Sequence, residues 1–285
     1  MLLTFTLLGL AIALVWVPDI GYRSLSISLW VAAFIAAIAS GLAYGLLSAP
    51  GILALGALFT SCLVAKRAQN AALRATTTLF AALLALGLAL HVVPGFNNPV
   101  VSREIRLGLD SQPYTQYANF DKAAAGLILL AFFARRVTTF SEARKVVVPT
   151  VIAIILTAIG VIVYALAAGY VRLDPKIPAV ALTFLSINLL FTCVAEEVFF
   201  RGLVQERLMH VLSPNLHWVA VALSAGLFGL AHFAGGVSYV VLATIGGIGY
   251  SLVYARTRRV EPAVLTHFGV NAIHFFGFTY PHLAK

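Results

Sequence analysis

Long, uninterrupted apolar stretches run through this chain and constrain its fold more than any other feature. Ten of them can be delimited, at residues 2–17, 25–47, 51–65, 75–94, 122–134, 146–170, 178–200, 217–234, 237–255 and 262–280. A bilayer core of about 30 Å takes about 20 residues of helix, whereas a membrane β-strand shows about ten residues of alternating polarity. Continuous stretches therefore favour helices. The stretches 51–65 and 122–134 are short for a crossing, so eight to ten spans are expected.

The composition excludes a soluble globular domain. Hydrophobic residues make up 61% of the 285 residues and charged residues only 10%, whereas about 25% of the residues of soluble domains are charged. A soluble domain of this length needs a polar shell that so few polar side chains cannot supply. We therefore predict an all-α fold, a polytopic transmembrane helical bundle.

The net charge of +9 points to membrane topology rather than to nucleic acid. No basic stripe interleaved with aromatic residues is present, so nucleic acid is not an expected partner. Basic residues cluster after the third, fifth and ninth stretches: Lys66, Arg67, Arg74, Arg135, Arg136, Arg144, Lys145, Arg256, Arg258 and Arg259. Such loops usually face the cytoplasm. We expect a multi-pass protein of the bacterial inner membrane, with the near-neutral loop 95–121 outside.

Two regions are predicted from the distribution of polar side chains. Residues 1–170 are expected to form N-terminal membrane helices with the extramembrane loop 95–121, and residues 178–280 a second helical region. An ionisable group inside a membrane helix costs about 2.5–3.5 kcal/mol on insertion scales and marks a functional site by default. Such groups, with one amide, gather in the second region: Glu196, Glu197, Arg201, His232, His267, Asn271 and His274. His91 is attributed to a wet helix end.

Helical spacing arranges these residues on three separate helices. Glu197 and Arg201 are four residues apart and share a helix face, so they can pair. Glu196 lies about 100° around the helix from Glu197 and can face elsewhere. His267 and Asn271 share a face in the same way. One common cavity is the cheapest way to satisfy all of these polar groups.

The residue types fit a hydrolase that activates water. A carboxylate in apolar surroundings holds a proton more tightly than in water, which suits a general base near neutral pH. A carboxylate and a histidine can hold and deprotonate a water, while a second histidine and an asparagine donate hydrogen bonds to an oxyanion. For some of these residues, taken singly, a structural role is the alternative to a catalytic one. A Glu197–Arg201 pair alone is more often structural, and His274 and His282 are expected to be packed or interfacial.

Three segments resemble the motifs of the CPBP family. EEVFFR at 196–201, FGLAH at 228–232 and HFGVN at 267–271 follow the patterns EExxxR, FxxxH and HxxxN in that order. That family comprises type II CAAX prenyl endopeptidases and their bacterial bacteriocin-processing and immunity-related relatives. The resemblance extends over about residues 178–280 and implies that these residues form a catalytic helical core.

The resemblance implies a glutamate-type intramembrane endopeptidase. It gives Glu196 the role of catalytic glutamate and His232 that of its partner in activating water. His267 and Asn271 are implied to form the oxyanion site. The implied supporting residues are Glu197, Arg201 and Phe228. The implied partners are the lipid bilayer and a membrane-associated peptide or protein, of which a lipidated tail is one candidate form.

Metal dependence and two other function classes stay open at this point. No cofactor is favoured, because no HExxH pair is present, although Glu196, His232 and His267 could supply three zinc ligands. A non-catalytic membrane scaffold or immunity factor would bind a peptide in the same cavity. A proton-coupled transporter would use the buried Glu and His side chains, but the two halves of the chain show no matching pattern of broken helices.

Overall fold

A computed structural model describes residues 1–22 and 25–284 of the chain. Helices dominate this part, and the strands form two-stranded sheets, β1 with β2 and β3 with β4. The elements are α1 (Leu2–Leu14), β1 (Ile20–Tyr22), β2 (Leu25–Ile27), α2 (Leu29–Ala43), α3 (Ala49–Arg67), α4 (Ala71–Ala89), β3 (Val100–Ile105), β4 (Tyr114–Tyr117), α5 (Phe120–Phe132), α6 (Phe140–Ala167), α7 (Ala181–Val211), α8 (His217–Leu230), α9 (Val237–Thr257) and α10 (Val260–Gly277). The predicted all-α polytopic fold is confirmed.

Each predicted apolar stretch corresponds to one of these helices. Five of them, α3, α4, α6, α7 and α9, have the length and apolar composition to cross a membrane. Shorter apolar helices occur at Leu2–Leu14, Leu29–Ala43 and Pro214–Leu230. The helix α3 is longer than the stretch 51–65 because Pro50 occupies its first turn, where the missing N–H costs nothing. The chain is an integral, multi-pass membrane protein.

The helix α7 is irregular around its two glutamates. Its α-helical parts are Ala181–Ile187, Val194–Glu197 and Glu206–Val211, and its π-helical parts are Asn188–Cys193 and Val198–Gln205. π-helical turns are rare and occur frequently at functional sites. They also change the rotation per residue, so the common face of Glu197 and Arg201 that regular α-helical spacing predicts stays a prediction.

The helices divide into two compact units. Unit 1 comprises Met1–Pro99, Tyr117–Ala134 and Leu190–Phe199. Within it, α5 packs against α1, α3, α4 and the part Val194–Glu197 of α7. The residues of α5 from Ala123 to Leu130 are all buried. A helix that is apolar all round belongs in an interior, and this explains why its apolar stretch is short for a span.

A glycine allows α5 to approach α7 closely within unit 1. A Cβ atom at Gly126 would lie 2.6 Å from both the Cα and the Cβ atoms of Ala195. Any side chain larger than hydrogen would therefore push the two backbones apart. Ala195 immediately precedes Glu196, so this contact determines how near α5 comes to the first glutamate.

Unit 2 comprises Val100–Gln116, Arg135–Leu189 and Phe200–Lys285. Its helix α9 packs against α6, α8 and α10, and α10 also packs against α6. Glycines lie at these contacts: a Cβ at Gly247 would lie 3.2 Å from the Cα of Ala225, and one at Gly269 would lie 3.0 Å from the Ile154 side chain. Small residues are the usual means by which membrane helices approach each other.

Replacing Gly126 with alanine tests the close approach of α5 to α7. We expect Gly126→Ala to lower the free energy of unfolding by about 1–3 kcal/mol, because the added methyl group overpacks the contact with Ala195. Gly56→Ala in α3 is the matched control, since a Cβ there meets no atom of another element within 4 Å. Its helix propensity should raise stability by up to roughly 1 kcal/mol. Denaturant titration in detergent micelles measures both, and equal effects of the two substitutions would contradict the close approach.

Candidate active site

Glu196 lies in unit 1, in the short α-helical part of α7 between the two π-helical parts. Its Oε1 accepts a hydrogen bond from the Nζ of Lys122 at 2.6 Å, and the two side chains are only 13% and 16% exposed, respectively. A charge-assisted contact of this length is among the strong hydrogen bonds of proteins. Lys122 was missed by the sequence analysis, because it stands at the edge of an apolar stretch. Its position between Asp121 and an apolar run was the available signal.

A polar cluster holds the start of α5 next to Lys122. Asp121 is almost fully buried, and its carboxylate accepts hydrogen bonds from Asn98 Nδ2 at 3.0 Å and from the backbone N–H of Lys122 at 2.8 Å. The Nδ1 of His91 lies 2.8 Å from the same carboxylate. Asn98 also accepts a hydrogen bond from the Phe120 N–H at 2.8 Å. The His91 side chain is partly exposed, as expected at a wet helix end, and it also contacts this cluster.

His232 lies in unit 2, just beyond the end of α8. The helix ends at Leu230, earlier than the predicted stretch 217–234, and the chain continues through a turn of 3₁₀ helix and Gly236. Gly236 has a φ of +85°, in the region that favours glycine. The Nδ1 of His232 donates to the Phe228 carbonyl at 2.7 Å. In the neutral ring the lone pair is then on Nε2.

His267 is buried within α10 and held by aromatic rings. The Tyr250 ring stacks on it, with centroids 4.7 Å apart and planes at 14°, and the Phe228 ring contacts it edge-on at 5.6 Å. The guanidinium of Arg201 lies 4.6 Å from the Phe228 centroid and 5.3 Å from the Tyr250 centroid. Arg201 also donates to the Gly247 carbonyl at 2.9 Å. Arg201 thus supports the two rings that fix His267.

Asn271 follows His267 by one turn of α10. Its Nδ2 donates to the Oδ1 of Asn188 at 3.2 Å, and Asn188 is a buried residue at the start of the first π-helical part of α7. The sequence analysis did not single out Asn188, since one amide in an apolar stretch carries little signal. The contact with Asn188 orients the side-chain amide of Asn271.

The predicted residues divide between the units. Unit 2 brings Phe228, His232 and His267 together, with the Phe228 and His232 centroids 4.7 Å apart. Glu196 and the fully buried Glu197 belong to unit 1. Two further histidines of unit 2 are packed: His274 donates to the Thr279 carbonyl at 3.2 Å, and His282 to the Leu283 carbonyl at 2.8 Å.

The zinc alternative has a specific geometric requirement. Three ligating side chains must lie around one point. In the part of the chain that the structure describes, no three His, Cys, Asp or Glu side chains are grouped in this way. Glu196, His232 and His267 as zinc ligands stay a prediction.

Comparison with known proteins identifies a family for one part of the chain. Residues 178–273 match the family model of the type II CAAX prenyl endopeptidase Rce1-like proteins. The match covers about a third of the chain and includes the three motifs, so the predicted resemblance is confirmed there. No curated protein and no solved structure matches the chain.

The support that Tyr250 gives to His267 and Arg201 can be tested by changing its ring. We expect Tyr250→Leu to lower the free energy of unfolding by about 2–3 kcal/mol, because it removes a ring stack and a desolvated cation–π contact. Tyr250→Phe keeps the ring and should cost no more than about 1 kcal/mol. Denaturant titration in detergent micelles compares them. Equal losses for the two variants would show that the hydroxyl, and not the ring, is what matters.

Proposed function

We propose, from the family match over residues 178–273, that this chain is a CAAX-protease-like intramembrane endopeptidase. One observation carries the proposal: the matched segment is also the segment in which the costly polar side chains gather inside apolar helices. Ionisable groups in such positions are functional by default. The match is to peptidases, and the residue types are those of water activation.

In this proposal Glu196 is the general base. Its carboxylate takes one hydrogen of a water molecule while the water oxygen attacks the peptide carbonyl carbon. The Nε2 of His232 accepts a hydrogen bond from the other hydrogen of that water, since its Nδ1 already donates to Phe228. When the peptide C–N bond breaks, the protonated Glu196 returns its proton to the leaving amine.

His267 and Asn271 are proposed to stabilise the oxyanion that forms on the carbonyl oxygen. A ring N–H of His267 and the side-chain amide of Asn271 would be the donors. Preorganised donors of this kind contribute about 3–4 kcal/mol each in well-studied hydrolases. The stacked Tyr250 ring and the Asn188 amide support the proposal, because they hold the two donors in fixed orientations.

The proposed substrate is a membrane-associated peptide or protein. The matched family is described as acting on prenylated CAAX sequences, so a lipidated tail is one candidate form. The lipid bilayer is the second partner. The proposed location is the bacterial inner membrane, with the basic loops of the multi-pass chain facing the cytoplasm.

Glu196→Gln is the decisive variant for the proposed reaction. The amide cannot take a proton from water, so we expect cleavage to fall by about 100-fold or more. Protein termini are compared by mass spectrometry in membranes from cells that make the wild type or the variant at matched levels. New termini should appear with the wild type and be lost with Glu196→Gln. Glu104→Gln, an exposed site in β3 outside the matched segment, should retain them.

Other outcomes of that comparison point to the other function classes. Identical termini, together with an undiminished cellular function of Glu196→Gln, would favour a scaffold or immunity factor. Proton-coupled uptake by the reconstituted protein would favour a transporter.

Exhaustive chelation tests the metal-free form of the reaction. We expect Glu196-dependent cleavage by the purified wild type to persist after chelation, because the proposed water is activated by Glu196 and His232 alone. Cleavage is followed before and after chelation and after zinc addition. Full loss that zinc restores would overturn the metal-free mechanism and support Glu196, His232 and His267 as ligands.

A further inference from the structure

We propose that Lys122 is a positioning residue for Glu196, because it pairs with the Glu196 carboxylate and holds it in one orientation. The consequence for catalysis rests on the proposed function, in which Glu196 is the general base. The contact between the two side chains does not depend on that function. Both residues belong to unit 1, where α5 and the middle part of α7 pack together.

The Lys122 and Glu196 side chains are both largely buried, so each depends on a partner of opposite charge. An ammonium group and a carboxylate taken out of water each lose several kcal/mol of solvation, which a close contact between them must offset. Lys122 Nζ and Glu196 Oε1 lie 2.6 Å apart and form such a contact. A nearby positive charge also stabilises the charged form of a carboxylate. Only that form can accept a proton from water.

The backbone brings Lys122 to Glu196 by a specific arrangement. Lys122 and Gly126 are four residues apart in α5 and therefore share one helix face. Gly126 contacts Ala195 so closely that a Cβ would lie 2.6 Å away. One turn earlier on the same face, Lys122 meets the residue after Ala195, which is Glu196. The glycine contact thus fixes the distance that the lysine side chain spans.

The first turn of α5 is itself anchored, which limits how far Lys122 can move. Asp121 is held by His91 and Asn98, and Asn98 also binds the Phe120 N–H. A lysine that served only to neutralise charge would need no such anchoring. The cluster of His91, Asn98 and Asp121 therefore holds the part of the backbone from which the Lys122 side chain extends.

Carbodiimide labelling of Glu196 tests the proposal without any substrate. N,N′-dicyclohexylcarbodiimide reacts with protonated carboxyl groups in apolar surroundings, so labelling at neutral pH reports the protonated fraction of Glu196. We expect the purified full chain to label weakly and Lys122→Met to label at least about fivefold more, since the stabilising charge is gone. Lys122→Arg should label weakly, like the wild type. Glu196→Gln defines the background from Glu197 in the same peptide.

Lys66→Met is the matched control for removing a cation from unit 1. Lys66 is exposed at the end of α3, with its Nζ 5.8 Å from the Phe132 ring centroid, so its loss should leave labelling unchanged. Lys122→Gln keeps a donor without the charge and should label like Lys122→Met. It replaces that variant in the comparison if Lys122→Met does not fold.

Turnover gives the second readout, on a peptide that spans a cleavage site found by the termini comparison. We expect Lys122→Met to lower kcat at least about tenfold with little change in KM, and Lys122→Arg to restore most of it. A purely structural pair would lower stability and leave the kcat of the folded fraction unchanged.

The outcomes separate this inference from the proposed function. If Lys122→Met labels no more than the wild type, or keeps full activity, the role of Lys122 is overturned, even if Glu196→Gln abolishes cleavage. If Lys122→Met labels strongly but the wild type cleaves nothing, the proposed function is overturned and the pairing of Lys122 with Glu196 stands.

Discussion

An ionised side chain among membrane helices is stable only when neighbouring groups replace the water it has lost, and the packing of this protein follows from that requirement. The two units stabilise their charged side chains in different ways. In unit 1 the carboxylate of Glu196 contacts the ammonium group of Lys122. In unit 2 the guanidinium of Arg201 lies against the faces of Phe228 and Tyr250 and donates to a backbone carbonyl. One solution uses opposite charge, and the other uses aromatic rings that also hold a histidine.

Close backbone contacts make both solutions possible. Lipid tails are as apolar as leucine, so membrane helices gain little from hydrophobic contact alone and associate through close packing instead. Gly126 brings α5 against α7, and Gly247 brings α9 against Ala225 of α8. Each glycine lies beside one of the buried charges: Gly126 next to Ala195 and Glu196, and Gly247 at the carbonyl that accepts from Arg201. Packing and charge stabilisation therefore depend on the same small residues.

The sequence predicts the helices well, because the length and continuity of an apolar stretch are enough to indicate a membrane helix. It also predicts which helices carry polar side chains, since a polar residue in an apolar stretch is conspicuous. What it misses has physical reasons. Lys122 lies at the edge of a stretch, where a cation is ordinary, and Tyr250 has the appearance of a core aromatic residue. The early end of α8 before His232 is followed by a 3₁₀ turn and a glycine with positive φ, which the apolar stretch does not reveal. The π-helical parts of α7 leave no periodic signal.

The π-helical part Val198–Gln205 makes α7 sensitive to its exact number of residues. A π-helical turn closes a longer hydrogen-bonded ring than an α-helical turn and so accommodates an additional residue. Removing a single residue there would let the helix return to regular α-helical bonding, and the wider turn would be lost. Removing a residue from a regular α-helical part would instead rotate everything that follows it by about 100°. The additional residue in this one turn is thus as much a determinant of the site as the identity of its side chains.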